Sequence, residues 1–159
     1  MTTNINITNN KSLADKSLVD IDKLEKALDN TKNENIMNFT TKKINELNYK
    51  ILQELNLDNK TTLEYLKNLK DYKYVDELPE LKHGGFIRWI PINDPEDIQL
   101  TKGGIFCEMK VKEDGVYIIC KNYGYNRKHF QIKLDENLIF QKLTEQELVL
   151  LSALDHLSK

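Results

Sequence analysis

Between Lys121 and Phe130 the chain reads Lys-Asn-Tyr-Gly-Tyr-Asn-Arg-Lys-His-Phe, with cations interleaved among aromatic rings. Single-stranded RNA or DNA needs that mixture: positive charge for phosphates and flat faces for bases. On this reading Lys121, Arg127 and Lys128 would hold phosphate, and Tyr123 and Tyr125 would stack. The plain alternative is a hairpin loop whose tyrosines cover one end of a β-structure and whose cations are simply solvated. The net charge of -2 gives a polyanion no broad attractive field, so such a site would be a local patch.

Other constellations carry less chemistry. Cys107 and Cys120 with His83, His129 or His156 could be imagined around zinc, but the cysteines stand apart on separate strand-like segments and no tight knuckle pairs them. The same residues give no oriented nucleophile, because no third group positions a Cys–His pair. Gly84-Gly85 and Gly103-Gly104 lack the helix and the Lys-Ser or Lys-Thr of a phosphate loop; strand bends or bulges account for them. Asp94, Glu96 and Asp97 lack the ligand cadence and glycine of a calcium loop. Trp89, Phe86, Tyr117 and Phe130 could line an aromatic pocket for a peptide or a methylated cation, the alternative being core packing. No catalytic, metal or cofactor site emerges, so the sequence reads as a non-enzyme.

These residues need elements to hold them. Met1–Lys11 is polar and aperiodic, and is expected to be disordered. Residues 12–75 read as a helical region. Ala14, Ser17, Ile21, Leu24 and Leu28 mark one seam to about Asn30, and Thr31–Asn38 interrupts it. Ile44, Leu47, Ile51 and Leu55 mark a second helix from about Thr41 to Leu55. A third, capped by Thr61 or Thr62, presents Leu63, Leu66 and Leu69. Such thin seams do not stabilise isolated helices, so they must pack on the rest of the fold or on another chain. Ile21, Leu24, Leu28, Ile44, Leu47 and Ile51 are the candidate oligomerisation residues.

A boundary is expected at Asp76-Glu-Leu-Pro, where Pro79 disfavours helix and the pattern changes. Residues 76–159 then hold strand-like segments at Gly85–Ile92, Gly104–Val111, Gly115–Lys121, Lys128–Leu134 and Leu138–Leu143, separated by turn residues. Thr144-Glu-Gln-Glu147 opens a final helix as a capping box. In the hairpin around Lys112-Glu-Asp-Gly115, a two-residue loop pairs Val111 with Val116, Met109 with Ile118 and Cys107 with Cys120. The aligned apolar faces favour that register. A type I turn with a glycine bulge would instead slide the partner by one and set Cys107 against Lys121.

The class expected is therefore α+β: a helical N-terminal region, a small antiparallel five-stranded barrel and a C-terminal helix. The layout resembles SH3-like and Sm-like small barrels. Separately, Gly84-Gly-Phe-Ile-Arg-Trp-Ile, Gly103-Gly-Ile-Phe and Gly115-Val-Tyr-Ile-Ile-Cys are similar to stretches in small proteins of large DNA viruses. That resemblance covers the C-terminal half and implies a viral, virion-associated protein. No stretch approaches the roughly 18 unbroken apolar residues of a membrane helix, and two cysteines make no disulfide framework. The expectation is an intracellular structural or protein-interaction module that self-associates or binds another protein, with nucleic-acid binding through residues 121–130 as the alternative.

Overall fold

The computed structural model describes residues 21–122, 124 and 128–158. The class is α+β, and the chain divides into two units: 1–41 with 144–159, and 42–143.

In the first unit, residues 21–29 are helical (α1); the expected disordered tail and residues 12–20 lie outside the described residues. Ala27 is fully buried, whereas Ile21 and Leu28 remain 52% and 53% exposed. Two 3-10 turns follow, Thr31–Asn33 and Asn35–Asn38, where the interruption was expected. The C-terminal helix α4 (Glu145–Leu157) has the expected capping box. The Thr144 hydroxyl accepts from the Glu147 N–H at 3.1 Å, and the Glu147 carboxylate accepts from the Thr144 N–H at 3.0 Å. The side-chain carbonyl of Gln146 accepts from the amides of Asn30 (2.8 Å) and Asn33 (3.1 Å), tying α4 to the N-terminal turns.

The second unit contains α2 (Thr41–Gln53) and α3 (Asn59–Asn68), then a sheet. Asn56, with φ 55°, ends the chain's helical path after α2. The cap of α3 is Asp58, accepting from the Thr61 N–H, so neither threonine plays that part. The strands are β1 (Tyr72–Tyr74), β2 (Phe86–Pro91), β3 (Gly104–Lys112), β4 (Gly115–Lys121), β5 (His129–Lys133) and β6 (Asn137–Lys142). All pairings are antiparallel, in the order β1-β6-β2-β3-β4-β5. The five expected strands are present, but in place of a five-stranded barrel they belong to an open six-stranded sheet. The addition is β1, a three-residue strand that takes the free side of β6 and leaves β5 at the opposite end. The boundary expected at Asp76 therefore falls inside the sheet, between β1 and β2.

Each face of the sheet carries a core. On one, Ile87 and Trp89 of β2 meet Phe106, Ile118, Cys120 and Ile139, with Phe130 and Ile132 packed alongside. The segment after β1 folds over this face. Gln141 accepts from the Lys82 N–H (2.7 Å) and donates to the Glu80 carbonyl (2.8 Å), and Lys73 meets the Glu80 carboxylate at 3.0 Å with 10% and 15% of the two side chains exposed. On the other face, Leu52 of α2 and Leu69 cover Ile90 and Phe140, with Tyr65, Leu66, Tyr72 and Tyr74 around them. Part of the α2 seam, for which packing within the fold and self-association were both open, is buried here. Ile44 is 3% exposed and Ile51 packs against the Leu52 cluster, while Leu47 is half-buried.

Close backbone approach explains Gly85, Gly103 and Gly104, and a positive φ of 78° explains Gly84. Gly103 has φ +90°, and a Cβ there would run into the Ile87 carbonyl, where β3 arrives beside β2. No helix of the described residues is long and apolar enough to cross a membrane.

Candidate protein-interaction edge

An open sheet has two edges, and each exposes a row of backbone N–H and C=O groups unless something covers it. The two edges here are treated differently. Along β1, the Tyr72 N–H donates to the Leu69 carbonyl, the Tyr74 carbonyl accepts from Lys73, and one side chain takes the two outward groups between them. The Asn48 amide donates to the Tyr72 carbonyl at 2.8 Å, and its carbonyl accepts from the Tyr74 N–H at 2.9 Å. Asn48 is 0% exposed. It reproduces the donor–acceptor pair that a further strand would present, so this edge is closed from within by α2.

At β5 the register shows which groups face outward. Phe106 lies opposite Cys120 yet bonds to β2's side, its N–H to the Gly85 carbonyl and its C=O to the Gly84 N–H. The backbone groups of Cys120 therefore turn toward β5, where Cys120 pairs with Phe130. The bond from the Asn122 N–H to the Lys128 carbonyl, two residues along, gives the same phase. Antiparallel pairs alternate, so Phe130 and Ile132 bond to β4 and the N–H and C=O groups of His129, Gln131 and Lys133 point away from it. Only the Lys133 carbonyl has a described partner, the Asn137 side-chain amide at 2.8 Å.

The side chains alternate with equal regularity. Phe130 and Ile132 lie on the core face, and the Phe130 ring sits 5.4 Å from that of Trp89. His129, Gln131 and Lys133 lie on the other face, in the rows of Lys121, Ile119 and Tyr117. Of the aromatic set considered from sequence, Trp89 and Phe130 come together as core. Register puts Phe86 and Tyr117 on the opposite face, so no four-ring pocket forms. Tyr117 donates to Asp114 at 2.6 Å and lies under the Lys112 ammonium, 4.6 Å from the ring centre.

Of the nucleic-acid candidates, Lys121 closes β4 opposite His129, and Lys128 is exposed just before β5. Tyr123, Tyr125 and Arg127 lie outside the described residues. The neighbouring hairpin cations already have partners, Lys110 with Glu108 at 3.8 Å and Lys112 with Gln131 at 3.1 Å.

The cysteines correct a register expectation. Val111 pairs with Val116 and Met109 with Ile118 as expected, but a bulge between Phe106 and Glu108 leaves Cys107 over and sets Phe106 against Cys120. Cys107 is consequently half-buried, not interior, and His83 meets its carbonyl at 2.7 Å. Cys120 is buried, and desolvation, with a smaller contribution from Cys107, pushes its thiol up to about 12. A raised thiol pKa leaves almost no thiolate at neutral pH, so Cys120 should resist alkylation until the protein unfolds. Mass spectrometry after native iodoacetamide treatment is expected to show Cys107 modified first; equal rates at both positions would contradict this placement. Among the described residues, no group of three or more His, Cys, Asp or Glu side chains is arranged to hold a metal.

Sequence reasoning found β5 and its alternation but not its place at an edge, because that depends on β1. The signal for Asn48 was present: it stands four residues from both Ile44 and Leu52, a polar residue within a helical apolar stripe. Comparison with protein-family models, with curated proteins and with solved structures gives no match.

Proposed function

We propose that the protein is a non-catalytic interaction module whose sheet takes up an extended segment of a partner along β5. The observation that supports it is the contrast between the two edges. Buried Asn48, with Leu69 and Lys73, saturates β1, while β5 offers five residues in strand conformation with alternate backbone groups facing outward. Strand addition uses such an edge: main-chain hydrogen bonds supply affinity, and alternate side chains supply selectivity.

The test is Gln131→Pro against Gln131→Ala. Proline removes the central outward N–H and is tolerated at an edge whose N–H faces away from the sheet, so the fold should survive. Peptides selected for binding from a random display library should lose most of their affinity for Gln131→Pro and keep it for Gln131→Ala. Selected peptides that bind both variants equally would sink the reading.

A further inference from the structure

Building on that strand-addition reading, we infer that the segment taken up belongs to another protein and alternates acidic with apolar residues. The outward-facing row of β5 itself carries no acid, while Asp114, Asp135 and Glu136 stand near its Lys133 end. On the face opposite the Trp89 core, β5 presents His129, Gln131 and Lys133, with Lys121 in the next strand beside His129 and exposed Lys128 just before the strand. Cross-strand neighbours on one face lie close enough for opposite charges to attract and like charges to repel. Acidic side chains entering this row meet Lys133 and the Lys121–Lys128 end.

The other face sets the second half of the pattern. Phe130 and Ile132 are half-buried against Trp89, Ile118 and Cys120. A strand laid beside β5 puts its alternate residues next to these two. Apolar residues there extend the core and remove more of both side chains from water. The incoming segment therefore reads acidic, apolar, acidic, apolar.

A second copy of this chain fits poorly. Symmetric antiparallel pairing about Gln131 sets His129 of each copy opposite Lys133 of the other, placing two cationic or potentially cationic pairs face to face. Positive charge on an edge discourages self-pairing while leaving it open to a strand of opposite sign.

The test uses two synthetic peptides of equal length, one alternating Glu with Val and one alternating Lys with Val, shown to be monomeric by light scattering. Fluorescence anisotropy is measured with the full chain, with Lys133→Glu and with Gln131→Pro. The Glu/Val peptide should bind about tenfold tighter than the Lys/Val peptide at low salt, the gap narrowing as salt is raised. Lys133→Glu should erase or reverse that preference, and Gln131→Pro should abolish binding of both peptides. If the two bind wild type equally and Gln131→Pro still abolishes binding, the charge inference fails and strand addition stands. If binding is indifferent to Gln131→Pro, strand addition itself fails. Failure of the Glu/Val peptide to bind at millimolar concentration overturns the inference, as does a concentration-dependent dimer blocked by Gln131→Pro.

Discussion

A fragment beginning at Asp76 is expected to have no cooperative unfolding transition, although it contains five of the six strands. It lacks β1, the partner of β6, and every helical residue covering Ile90 and Phe140. Leu52 and Leu69 are 0% and 1% exposed, and burying two such side chains contributes about 3–6 kcal/mol. Ile51, Leu55, Tyr65 and Leu66 add to that. A domain of this size has a net stability of about 5–15 kcal/mol, so the loss consumes most or all of it. Circular dichroism with heating should show a shallow, featureless change, and the exposed sheet face should make the fragment aggregate. A sharp transition at a temperature near that of the full chain would show that the helices and β1 are dispensable.

Replacing Asn48 is expected to be the most damaging single substitution on α2. Asn48→Leu keeps a comparable volume but leaves the Tyr72 carbonyl and the Tyr74 N–H without their partner. Stranding a buried polar group costs about 1–3 kcal/mol, so the pair should lower stability by about 2–6 kcal/mol in urea denaturation. Asn48→Asp separates the two bonds: a carboxylate still accepts from Tyr74 but cannot donate to Tyr72, and it places an unpaired charge in a dry site. It should destabilise as well, and the loss should ease as the pH falls and the carboxyl protonates, because the neutral acid regains a donor. A loss of less than about 0.5 kcal/mol for Asn48→Leu would mean that water or another group satisfies the edge.

Much of this fold was legible from residue patterns. The five longer strands appear within one or two residues of their expected limits because alternation and turn residues are local properties. The α4 cap was legible for the same reason: Thr144 and Glu147 are three residues apart and need no other part of the chain. What was missed depends on distant residues. Tyr72-Lys-Tyr74 is too short to announce itself and becomes a strand because β6 is there to pair with it. Five short strands joined by tight turns suggest closure as a way to avoid exposed edges, which is why a barrel was expected. The seam of α2 was found, but periodicity cannot say whether Ile44 and Ile51 face a sheet of the same chain or a second molecule.

The candidate site shows the same division. His129-Phe-Gln-Ile-Lys133 was read as a half-buried strand, and it is one. Its outward hydrogen-bonding phase is set through Cys120 by Phe106 and the Gly84–Gly85 turn, the latter two more than twenty residues away along the chain. The bulge at Cys107 was not foreseen; the glycine bulge considered lay at the turn itself. The two-residue loop was the favoured register, and it holds from Lys112 to Glu108; the extra residue enters further along, beyond what the turn sequence can dictate.

The sealed β1 edge also bears on assembly size. A sheet with two equivalent open ends can stack head to tail, each molecule's last strand joining the next molecule's first, and such heterologous contacts run on into filaments unless rotation closes them into a ring. With Asn48 occupying the β1 end, no molecule offers a receptor for its neighbour's β5. Under the strand-addition proposal, growth head to tail through successive copies of this chain would therefore stop at the first β1 end it meets.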